Sequence, residues 1–256
     1  MMKFLKKFYL GIIMVFLYIP IVVLIVQSFN AGESRANWEG FSLHWYGELL
    51  RDERILNALY VTISIAVIAM IVSTVLGTLA AIGIHAMKKR PQALMMTLTN
   101  LPNTMPDIVT GISLMLLFLF TKVERGYVTM LLAHITFDTP YVILSVLPKL
   151  KQMNRHTYEA ALDLGATPMY ALFHVIIPQC KQGIITGAML AFTLSLDDFT
   201  ISYFTTSPLV QNLSTLIYSA ARKGIEPSLN ALSALMFVAL LVLLLIVNRR
   251  TAENND

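Results

Sequence analysis

The chain has 256 residues, of which 56% are hydrophobic and only 13% charged, a balance far from that of soluble domains. Its formal charge of +4 is not gathered into the basic face that a nucleic-acid partner requires. One cysteine, Cys180, excludes an internal disulfide framework and a multi-cysteine metal site.

Six apolar runs follow in chain order: Phe8–Ser28, Ala58–Met87, Leu94–Phe120, Tyr127–Leu147, Gly183–Thr205 and Leu229–Val247. At about 1.5 Å per residue, each is long enough to cross a hydrocarbon core of about 30 Å. The expected fold is an all-α membrane protein of six transmembrane helices, with residues 1–256 as one domain and 58–247 as its core. The first run follows Lys3, Lys6 and Lys7, as a signal peptide does. It exceeds the roughly 7–15 apolar residues of a cleaved signal and lacks a small-x-small site, so it reads as a retained helix, 8–28. Phe29–Asn57 then carries Trp38, Phe41, Trp45 and Tyr46, which are expected to anchor an interfacial helix at the headgroups. Gly77, Ala80, Ala81 and Gly83 in the second run, and Gly183-x3-Gly187 in the fifth, are spaced for close helix packing. Ser207–Ser228, with Pro208, Gly224 and Pro227 at its turns, reads as a re-entrant element or a docking surface.

The basic residues orient the runs. Lys3, Lys6, Lys7, Lys88, Lys89, Arg90, Lys149, Lys151, Arg155, Lys181, Arg249 and Arg250 fall on one side. Arg35, Arg51, Arg54, Lys122, Arg125, Arg222 and Lys223 fall on the other. The first and larger set is expected to be cytoplasmic, with both termini inside.

Four carboxylates interrupt apolar runs: Asp107, Asp138, Asp197 and Asp198. An aspartate at the bilayer centre costs about 2.5–3.5 kcal/mol on the insertion scale, and no Lys or Arg lies deep enough in a run to offset it. Such acids normally face an aqueous path, and an unpaired set favours a cationic substrate. Asp107 follows Pro102 and Pro106, so it also suits the cap of a restarted helix. In the fifth run Ala191, Ser195, Asp198, Ser202 and Thr205 recur at three-four spacing, forming one small, polar stripe. That stripe makes Asp198, with Ser195 and Ser202, a better path candidate than Asp197, which sits about 100° around the helix. Asp138 lies four residues after His134, and an i,i+4 pair of the two is an equal alternative to a path role. His44, His85, His156 and His174 show no metal-ligand spacing, and Ser195 lacks a G-x-S-x-G context, so neither a cofactor nor a catalytic nucleophile is expected.

The segment Pro148–Cys180 is a polar interruption that must face water or a soluble partner. Thr157–Leu164 holds good helix formers, Gly165 is placed to end that helix, and Thr167-Pro168 suits a restart. Ala160, Ala161 and Leu164 make a small apolar face, flanked by Glu159 and Asp163 one turn apart. Glu159-Ala160-Ala161, then Gly165, then Val175 to Pro178 follow EAA-x3-G-x9-I-x-LP. This spacing resembles the cytoplasmic coupling loop of bacterial ABC importer permeases. The resemblance implies the type I importer permease fold, residues 148–180 as the coupling loop, and ATPase contact through Glu159, Ala160, Ala161, Asp163, Gly165 and Pro178. It also implies a dimer of ATP-binding subunits, a second permease subunit and an extracytoplasmic binding protein in a bacterial inner membrane. No G-x-x-x-x-G-K-[ST] occurs, so no nucleotide site of the chain's own is expected. The stretches YIPIVVLIVQSFN, MPDIV, HITF and FTLSLDDF resemble, more narrowly, the C-type permeases of spermidine/putrescine importers. The alternatives are a permease for another cationic or small solute and, less favoured, an ion-coupled secondary transporter.

Overall fold

In hydrocarbon a backbone must satisfy its own hydrogen bonds, and this chain does so with helices. The computed structural model describes residues 2–33, 37–154, 156–223 and 226–253. Arg35 and Arg155 of the charge sorting, and Gly224 of the expected turn, lie outside them. Among the described residues there is no strand, only an isolated antiparallel bridge between Asn30 and Phe41.

Among the described residues, three helices are long and apolar enough to span: α1 (Met2–Gln27, through Phe8–Gln27), α3 (Glu53–Ala86) and α6 (Tyr127–Gln152). The third expected run is not one helix. It divides into α4 (Lys89–Thr104) and α5 (Asp107–Phe120), bent by 104°. Pro106 causes this: its ring drives Met105 out of the helical region, to φ −85° and ψ 146°.

The fifth run is also broken, into α10 (Lys181–Asp197) and α11 (Thr200–Thr205), with Asp198 extended at ψ 125°. The stripe read as one continuous helical face therefore belongs to two helices. Further bent pairing occurs before α10, where Pro168–Gln179 meets it at 71°. The last expected run, Leu229–Val247, lies in α13 (Pro227–Glu253). Pro227 starts that helix, and α12 (Leu213–Lys223) fills much of the preceding loop.

The chain divides into two compact units, Met1–Leu56 with Leu216–Asp256, and Asn57–Thr215. In the first, the outer loop folds on Asn30. Its side-chain oxygen accepts the Glu39 amide at 2.8 Å, its side-chain nitrogen donates to Asn37 O at 2.8 Å, and its carbonyl accepts from Trp45 Nε1 at 2.7 Å. Trp45, on α2 (His44–Leu49), is therefore a buried structural residue and not a headgroup anchor; Tyr46 shares a 2.8 Å bond with Ser28. Trp38 and Phe41 remain exposed.

In the second unit α6 is the central helix, burying twelve residues from Thr129 to Leu150. Glycines bring its neighbours onto it. A Cβ on Gly183 would lie 2.8 Å from the Ser145 carbonyl, and one on Gly187 would lie 3.1 Å from Val142 Cα. From α3, a Cβ on Gly77 would reach 2.6 Å from Val142 Cβ. The small residues at these positions are packing surfaces, as their spacing implies.

Candidate functional site

Two sites stand within the second unit, one buried and one exposed. The buried one forms where α6 meets the α10–α11 break. His134 of α6 places Nδ1 2.6 Å from Ser195 Oγ on α10 and Nε2 2.9 Å from Ser202 Oγ on α11. One imidazole thus spans both sides of the break. Its Nε2 is also 3.6 Å from Asp198 Oδ2.

Asp198 compensates for the missing helical turn. Its carboxylate accepts the backbone amides of Ile201 at 3.2 Å and Ser202 at 2.7 Å. Asn212, in the segment before α12, donates to the Asp198 carbonyl at 3.2 Å and to Ser202 Oγ at 2.8 Å. Asn212 is held in turn by Thr215, which donates from its amide at 3.0 Å and from Oγ1 at 2.8 Å. The side chains of Asp198, Ser195, Ser202, His134 and Asn212 therefore each have a partner at the break, as buried polar groups require.

The four acids occupy different situations. Asp107 opens α5 and is exposed, and its side chain caps nothing among the described residues: Pro106 precedes it without a side-chain cap. Asp197 is exposed at the end of α10, facing away from the buried Ser195. Asp198 is spent on backbone amides. Asp138 is fully buried, and neither of its oxygens has a hydrogen-bond partner among the described residues. The alternative His134–Asp138 pair does not form, because both imidazole nitrogens are turned to the serines. Ser195 and Ser202 are buried against His134. The sequence reading missed Asn212 and the part played by His134. A contact between a loop amide and a helix break leaves no periodic trace, although the polar His134 inside an apolar run was visible.

The exposed site is built from short helices in succession. α7 (His156–Asp163) ends at Gly165, whose φ of +89° suits glycine. Ala166 N donates to Ala161 O at 3.1 Å and Gly165 N to Leu162 O at 2.9 Å, the pair of bonds of a Schellman motif. Thr167 then caps α8 (Pro168–Ala171) by accepting from Tyr170 N at 3.3 Å. A π turn, Leu172–Ile176, leads into α9 (Ile177–Gln179). Pro178 is its cause: it lacks an amide for His174 O and its ring crowds that carbonyl, so the chain widens there.

This chain of elements presents an uncovered apolar face. Leu164 is 90% exposed, and Met169, Tyr170 and Phe173 are more than half exposed. Ala161, Leu164, Thr167, Tyr170 and Val175 line an open concavity of about 520 Å³. Glu159 and Asp163 are exposed, and Glu159 meets His156 Nδ1 at 3.0 Å. Ala160 and Pro178 are exposed as well. An apolar patch with a charged margin is the composition of a docking surface.

Residues 73–250 match the family described as binding-protein-dependent transport system inner membrane component. The chain is 39% identical to the putrescine transport system permease protein PotI of Escherichia coli over 231 residues, covering 88% of this chain and 82% of that protein. It is 34% identical to the spermidine/putrescine transport system permease protein PotC of the same organism, over 95% of this chain and 92% of that one. Among solved structures, a chain of a bacterial ABC transporter that imports the acidic polysaccharide alginate superposes with a TM-score of 0.74 at 16% identity, over 98% of this chain and 96% of that one. A chain of the MetNI methionine ABC transporter gives a TM-score of 0.65 at 14% identity, over 83% and 98%. These last two share the fold. The chain belongs to the binding-protein-dependent transport system inner membrane components: it is a multi-pass membrane permease with the type I ABC importer fold.

Proposed function

We propose that this chain is the permease subunit of an ATP-driven importer of polyamines, forming half of a translocation path. The observation that carries the reading is its 39% and 34% identity, over most of its length, to permeases named for putrescine and for spermidine/putrescine. The four intramembrane carboxylates support it, since a path containing acids without basic partners suits an extended polycation and opposes phosphate or sulfate. Ser195 and Ser202 act in this reading by holding the α10–α11 break beside that path.

The rest of the assembly follows from the same reading. One member of a dimer of ATP-binding subunits docks on the α7–α9 surface through Glu159, Ala160, Ala161, Asp163, Gly165 and Pro178. A sister permease completes the path, and an extracytoplasmic polyamine-binding protein delivers the substrate. ATP is hydrolysed in the separate subunit. Residues 1–256 work as one permease domain in the bacterial inner membrane with both termini cytoplasmic, in line with the distribution of lysine and arginine.

Uptake of radiolabelled putrescine and spermidine in cells lacking this chain, with and without its gene restored, tests the function. Restored uptake of either polyamine is the expected result. No restored uptake despite normal membrane abundance overturns the substrate. A cytoplasm-only reporter fused at Lys89 should be active and one at Glu39 silent; the reverse inverts the orientation.

A further inference from the structure

Of the four acids, only Asp138 is both fully buried and without a partner. Asp198, the acid best placed by sequence pattern, already serves the amides of Ile201 and Ser202. Asp107 and Asp197 are exposed. Asp138 is different because burial has removed its water and supplied nothing in return. A cation that came to a carboxyl in that position would supply the partner it lacks.

The surroundings indicate how a cation would arrive. Asp198 lies within electrostatic reach of Asp138, so any charge gathered there is negative. Tyr141, one turn further along α6 and half-buried, lies within electrostatic reach of both Asp107 and Asp138. Its ring edges against Phe137, with centroids 5.3 Å apart. An exposed acid and a buried acid thus both act on one aromatic ring, and aromatic faces attract alkylammonium groups. The α10–α11 pair packs over α6. The α10–α11 unit rests on glycine contacts and is broken at Asp198, where the link is a set of hydrogen bonds and not helix.

We propose that Asp138 is a reserved counter-ion for an ammonium group of the transported cation, covered in this arrangement and reached when the α10–α11 break shifts on α6. The proposal rests on the polyamine reading and names a site within it. Covering the acid lowers its hold on the cation, and uncovering it raises that hold. Binding and release are thereby tied to the conformation, as a transport site that must both admit and discharge its ligand requires.

The test uses the whole transporter reconstituted in vesicles with its ATPase, sister permease and binding protein. Asp138→Asn keeps the shape and removes the charge. We expect normal membrane abundance and ATPase association, with putrescine uptake lowered tenfold or more and the defect residing in the rate of transport. Uptake within twofold of wild type overturns the proposal. A second measurement needs no variant. During turnover a water-soluble carbodiimide couples a carboxyl to an amine it touches, forming an amide. A putrescine mass added at Asp138 in the wild-type complex, absent in the resting complex, is the expected result. Adducts only at Asp107 or Asp197 overturn it, and this arm decides the matter if Asp138→Asn fails to accumulate. A wild-type complex that takes up no diamine defeats the polyamine reading instead, so the two failures are distinct.

Discussion

The α7–α9 surface and the cluster at His134 lie in the same unit of the molecule and obey opposite rules. On the surface, charged and apolar groups alike are left open. Leu164 is 90% exposed, and Glu159 has only an exposed histidine beside it. In the cluster, Ser195, Ser202, Asn212, His134 and Asp198 are all bonded to one another or to backbone amides, and Asp138 alone is not. The contrast separates two ways of using polar residues. A docking surface leaves groups unsatisfied where water can serve until a partner arrives. A helix break inside a bundle must satisfy its groups at once, because nothing else will.

Substitutions can break this contrast, the strongest being on the open surface. Glu159→Lys and Gly165→Asp should each reduce uptake to background while the protein still inserts. Nothing lies within 4 Å of a Cβ at Gly165, so a loss there comes from its φ of +89° and from the partner, not from crowding. Normal uptake with normal ATPase copurification in both variants would remove the docking role.

His134→Ala attacks the cluster. It leaves Ser195 Oγ and the Asp198 carboxylate short of a buried partner, at about 1–3 kcal/mol for each buried group left unpaired. We expect a clear fall in thermal midpoint and abundance, with His134→Gln falling less. Equal stability for alanine and wild type would show that the break holds itself.

Gly183→Ala sharpens the comparison by testing packing without polarity. Its Cβ would sit 2.8 Å from a backbone carbonyl of α6, so helix must move. A destabilisation of about 1–3 kcal/mol is expected, read as a lower midpoint in detergent. An unchanged midpoint would mean that α10 rests on α6 loosely.

The smallest effect belongs to an exposed histidine with a carboxylate beside it. His156 and Glu159 are both largely exposed, and such pairs contribute about 0–1 kcal/mol. His156→Ala should therefore leave the midpoint almost unmoved. A fall as large as that of His134→Ala would erase the distinction between the two regions.

The exposed surface was legible almost residue by residue. Gly165, Thr167, Pro168 and the α7 helix formers act through their own backbone preferences, which the sequence states directly. The spans were legible as apolar runs, yet two of the six conceal breaks. The break at Met105 was in view, because Pro106 restricts the residue before it. The one at Asp198 was not, since LSLDDF holds neither proline nor glycine. Periodicity through that stretch assumed a continuous helix and ranked Asp198 as a free acid. The aromatic loop was misread for a related reason. Trp45 suits a membrane interface by type, and only its bond to Asn30 O places it inside.

By itself, the sequence determined what local chemistry determines: helices, their apolar lengths, the capped surface between α6 and α10, and the family to which these belong. Tertiary structure decided which acid is spoken for. A carboxylate's availability depends on what donates to it, and the donors come from across a break, from a neighbouring helix and from a distant loop. Asp198 acquires two backbone amides only because α10 stops before it, and Asp138 acquires none because His134 is turned to Ser195 and Ser202.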